Sequence, residues 1–294
     1  MLPSYLGRPD GTENGQYLAL DFGGTNLRLL LVELKGDGRV EVLQKQGWPL
    51  KDPVAGYDYT ARSSSGEQLF DFIAGQISAM VPQGKEIRLG HTFSYGCRQS
   101  SVNQAELIAW SKELKTSGVE GRDINQMLGQ ALLRRGLWHF RPTAILNDTV
   151  GTLLTAAYHY HDTDIASICG TGQNTCYLEP SSPQTGSPMI LNMESGNYDK
   201  VPATSYDRQL DQASEKPGRQ RMEKMVAGQY LGELFRLVAV KGLSEQGMTP
   251  APDFMVPFTV RTETLAVLLA DLSPDLTVSQ NHLTATYGLH TDAE

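Results

Sequence analysis

Cysteine is scarce in this chain, with three residues in 294. Cys97, Cys169 and Cys176 are too few and too unevenly spaced for a disulfide scaffold or a four-ligand zinc site, which points to a reducing compartment, the cytoplasm. Long apolar runs are also lacking: none approaches the ~20 residues of a membrane span. The N-terminal Met-Leu-Pro-Ser-Tyr-Leu-Gly has neither the basic nor the apolar region of a signal peptide. Positive charge is in deficit, 25 Lys and Arg against 33 Asp and Glu. That balance argues against a nucleic-acid backbone or an anionic membrane as the main partner and leaves any phosphorylated ligand to local donors. Internal repeats and low-complexity tracts are not evident. What remains is the composition of a globular protein of one large or two modest domains, with 40% hydrophobic residues to build a core.

The most informative segment is Leu18-Ala-Leu-Asp-Phe-Gly-Gly-Thr-Asn-Leu-Arg28, followed by Leu-Leu-Leu-Val32. Two apolar runs flank a turn with one carboxylate and two glycines, which predicts a strand, a phosphate-binding turn and a second strand. Gly23 and Gly24 remove side chains so that backbone N–H groups can approach phosphate oxygens. Thr25 and Asn26 add short donors, and Asp21 suits a magnesium ion held through water. A plain hairpin would explain Gly-Gly alone; the combination from Asp21 to Arg28 favours phosphate. The apolar run after the glycines suits a buried strand rather than the helix of a dinucleotide fold, which disfavours a nicotinamide-dependent oxidoreductase.

Further along, Arg39 to Lys45 alternates as a half-buried strand. Glu67 to Val81 places Leu69, Phe70, Ile73, Ile77 and Met80 on one helical face, and Ile87 to Ser94 reads as a strand. Asp123 is placed to cap a helix running to Arg135 and stopped by Gly136. A buried strand over 143–147, a helix over 149–160 and a strand over 165–169 give the βαβ rhythm of an α/β protein. Residues 180–188 read as loop. Residues 223–240 read as one long helix with Met225, Val226, Tyr230, Leu231, Leu234 and Val238 inward. His159-Tyr-His161, with no third ligand in sequence reach, reads as surface, and Cys169 and Cys176 read as buried small hydrophobes.

Asn147-Asp-Thr-Val-Gly-Thr152 lies where a strand ends and a helix begins, the place where open α/β sheets bind ligands, so Asp148 is the first catalytic candidate. A helix N-cap is the bland alternative. Cys169-Gly-Thr-Gly-Gln-Asn174 repeats the strand-then-glycine arrangement, with a plain turn as its alternative. Two glycine turns and a strand-end Asn-Asp resemble the sugar-kinase branch of the actin-like ATPase superfamily. The closer resemblance is to the eukaryotic-type hexokinase family. It rests on Leu20-Asp-Phe-Gly-Gly-Thr-Asn-Leu-Arg28, Thr92-Phe-Ser-Tyr-Gly-Cys-Arg-Gln99, Trp110-Ser-Lys112 and Gly118-Val-Glu-Gly121. It continues through Asn147 to Gly151, Gly170 to Tyr177, Asn192-Met-Glu194, Pro217 to Met225 and Tyr230-Leu-Gly-Glu233.

The resemblance implies an α/β, actin-like ATPase (ribonuclease H-like) architecture with two domains around a cleft, residues 1–145 forming the small domain and 146–294 an incomplete large one. It implies transfer of the ATP γ-phosphoryl group, with Mg2+, to the 6-hydroxyl of a hexose, glucose being expected. Asp148 would be the base, and Lys112 would contact the sugar and neutralise developing charge. Asp21 would orient magnesium through water, while Gly23, Gly24, Thr25, Asn26, Arg28 and Thr171 would surround the phosphates. Ser94, Ser111, Asn147, Asn174, Glu194 and Glu223 would read the hexose hydroxyls.

Four departures from the family pattern stand out. Phe-Pro after the sugar-binding Ser is Tyr95-Gly96, which frees the backbone. Thr-Lys-Gly-Phe is Ser111-Lys-Glu-Leu114, which puts Glu113 beside Lys112. The Trp after the sugar-binding Glu is Ser195, which implies a looser loop. The family's second phosphate motif and adenosine pocket are missing after Ser273-Pro-Asp-Leu-Thr277, so exposed apolar surface and self-association are expected. A non-catalytic sugar sensor and an inactive fragment are the competing readings.

Overall fold

The computed structural model describes residues 1–81, 86–110 and 114–289. The chain divides into two compact units, Met1–Ser167 with Thr175–Met193, and Ile168–Asn174 with Glu194–Glu294.

In the first unit the elements run β1 (Leu2–Pro3), β2 (Asn14–Phe22), β3 (Asn26–Lys35), β4 (Val40–Pro49), β5 (Lys51–Asp52), β6 (Tyr57–Asp58) and α1 (Gly66–Met80). Next come β7 (Ile87–Phe93), β8 (Cys97–Ser101), β9 (Gln104–Leu107), α2 (Ile124–Arg134), β10 (Phe140–Leu146) and α3 (Asp148–His159). Strands β11 (Ile165–Cys169), β12 (Gln173–Glu179) and β13 (Met189–Asn192) follow, the turn between β11 and β12 falling in the second unit. A five-stranded sheet has the order β10-β7-β2-β3-β4, and a four-stranded sheet the order β1-β13-β12-β11. Strands β2, β7 and β10 are mutually parallel, whereas β3 and β4 run antiparallel to their neighbours.

Local sequence explains these elements. In β2 and β3, Leu18, Leu20, Phe22, Leu27 and Leu29 alternate into one core, and α1 and α2 lay Leu69, Ile73, Ile77, Leu128 and Leu132 onto it. Each such side chain contributes ~2 kcal/mol on burial, against ~1 kcal/mol for a helix cap, so packing holds these helices and capping sets where they begin. Ser65 and Gln68 form a reciprocal capping box at α1, and the Asp123 carboxylate accepts from Gln126 N at 2.7 Å to start α2 as expected. Strand β4 departs from the half-buried expectation, since all but one of its residues are exposed. It is the outer strand of its sheet, so one edge and much of its surface meet solvent.

The second unit is helical: 3-10 turns at Ser195–Asn197 and Pro252–Met255, with α4 (Ser205–Ala213), α5 (Arg221–Val226), α6 (Gly228–Glu245), α7 (Thr262–Ala270) and α8 (Thr277–Tyr287). The single helix expected over 223–240 is broken at Ala227, whose backbone is extended. The break has a tertiary cause. Gly228 N and Gln229 N donate to the carbonyls of Gly170 and Thr171 at 2.7 and 3.1 Å, so α6 restarts against the second glycine turn. The inward face also differs. Val226 and Val238 are exposed, while α6 buries Gly232, Glu233 and Arg236, the last two joined by paired charge-assisted hydrogen bonds of 2.7 and 2.6 Å. Cys169 is exposed rather than buried, whereas Cys176 is buried as expected.

Candidate active site

Thr92 of β7 stands opposite Asp21 of β2 on one side and Leu146 of β10 on the other, so three parallel strands end level with one another. At strand spacings of ~4.8 Å, the segments leaving β2 and β10 start about 10 Å apart. This edge carries the Gly23 to Asn26 turn, Ser94 and Asn147-Asp148. It is the carboxyl edge of parallel strands, where side chains and freed backbone groups converge on space left by the sheet.

The first turn is held by its own backbone. Gly23 N donates to Asn26 O at 3.0 Å, Asn26 Nδ2 donates to Thr25 Oγ1 at 2.8 Å, and Leu50 N donates to the Thr25 carbonyl at 2.9 Å. Across the hairpin Arg28 Nη1 donates to Asp21 Oδ2 at 2.9 Å. Both side chains remain partly open to solvent, so the pair contributes below ~1 kcal/mol and serves more to orient the carboxylate than to stabilise the sheet. A Cβ on Gly23 would make only ordinary contact, 3.4 Å from Asn26 O, and its φ is not left-handed. Folding of the chain therefore does not itself require glycine there.

Asn147, not Asp148, caps α3: its Oδ1 accepts from Thr149 N at 3.0 Å and from the Thr149 hydroxyl at 2.5 Å. The cap position thus belongs to its neighbour, while Asp148 is the first helical residue, partly exposed, with its Oδ1 also accepting from Thr149 N at 2.9 Å. Its position in the first turn of α3 places the side chain beside the strand terminus. Behind it the Cys176 thiol donates to the Thr149 carbonyl at 3.1 Å, and burial pushes that thiol up to about 11, leaving it an inert packing group.

In the second unit, three sequence-distant segments meet. Ser195 N donates to Asn174 Oδ1 at 3.3 Å, the Ser195 hydroxyl donates to Gln173 Oε1 at 3.2 Å, and Gln173 N donates to Glu223 Oε2 at 2.8 Å. Asn174, Glu194 and Glu223 are thereby gathered with the turn bearing Thr171. Glu194 and Gln220 both have left-handed backbones, with φ of 52° each, which is uncommon for residues other than glycine and concentrates at functional loops. Ser195 replaces the expected looseness with hydrogen bonds to both ends of the Gln173-Asn174 pair. Ser111 and Lys112 lie outside the described residues.

Residues 1–158 match one hexokinase family model and residues 164–294 a second. The chain belongs to the hexokinase family. It is 37% identical to hexokinase-1 of Schizosaccharomyces pombe, an alignment covering all of this chain and 64% of that protein. It is equally 37% identical to human hexokinase-2, over 84% of this chain and 28% of that protein. The chain thus spans less than two thirds of the length of these hexokinases. Among solved structures, a hexokinase superposes with a TM-score of 0.81 at 34% identity, covering 100% of this chain and 68% of the other. A Schistosoma mansoni hexokinase complexed with glucose superposes with a TM-score of 0.82 at 32% identity, over 99% and 68%. The fold is accordingly the α/β, actin-like ATPase fold of the hexokinases.

Several residues that shape these candidate regions, in one unit or the other, were not legible beforehand. Gly196 sits so close to its surroundings that a Cβ would fall 2.6 Å from Gln220 Oε1 and 2.8 Å from Gln173 O. Gln220 N donates to Asn197 Oδ1 at 3.2 Å. Tyr95, expected to sit in a freed loop, is 3% exposed and packs at 4.9 Å against Trp110 and 5.1 Å against Phe93. The sequence signal for Gly196 was its place directly after the Glu194-Ser195 pair, a glycine with no turn partner.

Proposed function

We propose that this chain carries ATP-dependent phosphorylation of a hexose, glucose, at its 6-hydroxyl, the entry step of glycolysis, in the cytoplasm. The observation that carries the proposal is the level carboxyl edge of β2, β7 and β10, which collects the phosphate turn, Ser94 and Asp148 on one side of one sheet. The second unit supports it by gathering Asn174, Glu194 and Glu223, groups able to make paired hydrogen bonds to sugar hydroxyls. In this reading residues 1–145 act as the small domain and 146–294 as part of the large one.

The chemistry asked of each residue is modest, since phosphoryl transfer is mostly positioning and charge neutralisation. Asp148 accepts the proton of the 6-hydroxyl as its oxygen attacks the γ-phosphorus, and the bond from that phosphorus to the β–γ bridging oxygen breaks so that ADP leaves. Ser94, Ser111, Asn147, Asn174, Glu194 and Glu223 hold the sugar, and Lys112 offsets charge on the moving group. Backbone N–H groups at Gly23, Gly24 and Thr25, with Asn26, Arg28 and Thr171, surround the phosphates. Among the described residues no group of three or more metal-ligating side chains occurs. The lone Asp21 carboxylate suits magnesium, which keeps several waters and binds with substrate phosphates rather than in a protein cage. Magnesium would supply neutralisation of phosphate charge there.

No helix of the described residues is long and apolar enough to cross a membrane. Leu269 and Leu272 are 84% and 93% exposed, which supports self-association through the second unit. The test is a coupled assay of the purified chain with glucose, magnesium and ATP, run beside a glucose titration followed by tryptophan fluorescence. Turnover establishes the kinase; glucose binding without turnover makes the chain a sugar-binding module, and neither signal overturns the proposal.

A further inference from the structure

The Ser94-Tyr95 pair and the adjoining Phe93 grip the Phe22-Gly23 pair at four points. Ser94 N donates to Phe22 O at 3.2 Å, and the Tyr95 hydroxyl donates to Gly23 O at 3.2 Å. Phe22 stacks on Phe93 with ring centroids 5.3 Å apart and lies 6.0 Å from the Tyr95 ring. Trp110 closes the cluster and is itself fixed by Nε1 donating to Thr116 O at 2.9 Å. Burial raises the Tyr95 hydroxyl's pKa, so it remains a proton donor.

The two partners in this grip belong to different expected tasks: Ser94 to the sugar, Gly23 to the phosphates. On the far side of Tyr95 the chain is anchored as well, Ile108 N donating to the Gly96 carbonyl at 3.0 Å. A Cβ on Gly96 would meet nothing within 4 Å, and its φ is not left-handed. Neither packing nor a left-handed φ demands glycine at that position, and the chain there runs directly into β8, which pairs with β9 from Cys97 onward. A displacement of Ser94 is therefore passed toward the Gly23 turn rather than dissipated into the core, because the aromatic cluster is close-packed on that side.

We propose that Tyr95 is a positioning residue whose hydroxyl transmits occupation of the sugar loop to the Gly23 to Asn26 phosphate turn. The inference rests on the reading of Ser94 as a sugar contact and of that turn as a phosphate site. The family pattern has Phe at this position, which fills the same space without the hydroxyl, so the coupling is a property this chain adds. A single buried hydrogen bond corresponds to about a fivefold change in an equilibrium.

The experiment compares the full chain with Tyr95→Phe, which keeps the ring and removes only the hydroxyl. Glucose affinity is read by tryptophan fluorescence, and amide hydrogen exchange is followed in peptides spanning 20–27 and, as an internal reference, 66–80, with and without glucose. In the unmodified chain glucose slows exchange in 20–27 relative to 66–80. In Tyr95→Phe that glucose-dependent slowing falls about fivefold while glucose affinity changes less than twofold. Equal slowing in both proteins, with glucose bound by both, overturns the role of Tyr95 and leaves the sugar site standing. Failure of the unmodified chain to bind glucose overturns the sugar-site reading and this role together. Where turnover is measurable, Tyr95→Phe raises KM for ATP with KM for glucose unchanged, a split that a purely structural defect does not produce.

Discussion

Replacing Gly196 by Ala tests whether the second-unit site is as tightly built as its contacts indicate. The new Cβ would fall 2.8 Å from Gln173 O, 2.6 Å from Gln220 Oε1 and 3.1 Å from Glu223 Cβ. The Gln220 amide is the end of a flexible side chain and can swing away. The Gln173 carbonyl is backbone and must retreat by about 0.6 Å to reach ordinary van der Waals contact at ~3.4 Å. Gln173 cannot retreat alone, because its N–H holds the Glu223 carboxylate at 2.8 Å and the neighbouring Asn174 receives Ser195 N at 3.3 Å. Overpacking of this kind costs about 1–3 kcal/mol, and a misplacement approaching 1 Å in a positioned group costs up to ~100-fold in turnover. Gly196 has no left-handed φ, so nothing but space opposes the methyl group. Urea unfolding and the coupled turnover assay of Gly196→Ala should show both losses together. Native stability with native turnover would refute the reasoning. Gly170→Ala is the matched control: no atom lies within 4 Å of the added carbon, so stability should hold within about 0.5 kcal/mol while phosphate-dependent activity falls.

Asp148→Ala should abolish turnover while glucose affinity stays within about tenfold, as expected of a proton acceptor rather than a binding group; undiminished kcat would remove Asp148 from the mechanism. The buried Glu233 and Arg236 pair also supports Phe258 N at 2.6 Å and the carbonyls of Phe254 and Met255. Arg236→Met alone should cost about 3–5 kcal/mol in chemical unfolding, whereas Arg236→Met with Glu233→Met should recover most of that loss. Additive losses in the double variant would contradict this. His91 is fully buried with neither ring nitrogen hydrogen-bonded among the described residues, and burial, outweighing the influence of Asn125, depresses it to about 4. The unfolded chain binds the extra proton between about pH 6.5 and 4. Stability should therefore fall by ~3 kcal/mol as pH drops through that window, and His91→Phe should flatten the dependence in pH-resolved denaturant titrations. In sedimentation velocity the chain should self-associate, and Leu269→Glu with Leu272→Glu should return it toward monomer; a monomeric parent protein would contradict the exposed-surface argument.

Much of the first unit was written in local pattern. Alternation of Leu18, Leu20 and Phe22, the helical spacing from Leu69 to Met80, and Asp123 ahead of α2 each carry their own geometry, because period and capping act over a few residues. The helices α4, α7 and α8 were not legible, since few of their residues are buried, and neither were the short strands β1, β8, β9 and β13, whose placement depends on distant partners. Strand β4 read as half-buried because alternation reports a pattern of side chains; its exposure follows from being the outer strand. The break at Ala227 was equally invisible, for a good helical sequence on both sides gives no sign that Gly228 and Gln229 will donate to Gly170 and Thr171.

For the site, sequence alone determined which chemical groups are present and in what order: a carboxylate and glycines after β2, Asn-Asp after β10, and a second glycine turn after β11. Those are covalent facts, and motif spacing preserves them. Only the tertiary structure decided that Asn147 takes the cap position and shares the Thr149 N–H with Asp148, that Ser195 ties its loop, and that Gly196 is a point of close approach. It also decided that Tyr95, instead of moving freely, is held to Gly23. Each of these depends on a hydrogen bond or contact between residues 2 to 72 positions apart, and such contacts are set by how strands register and loops pack rather than by any local preference.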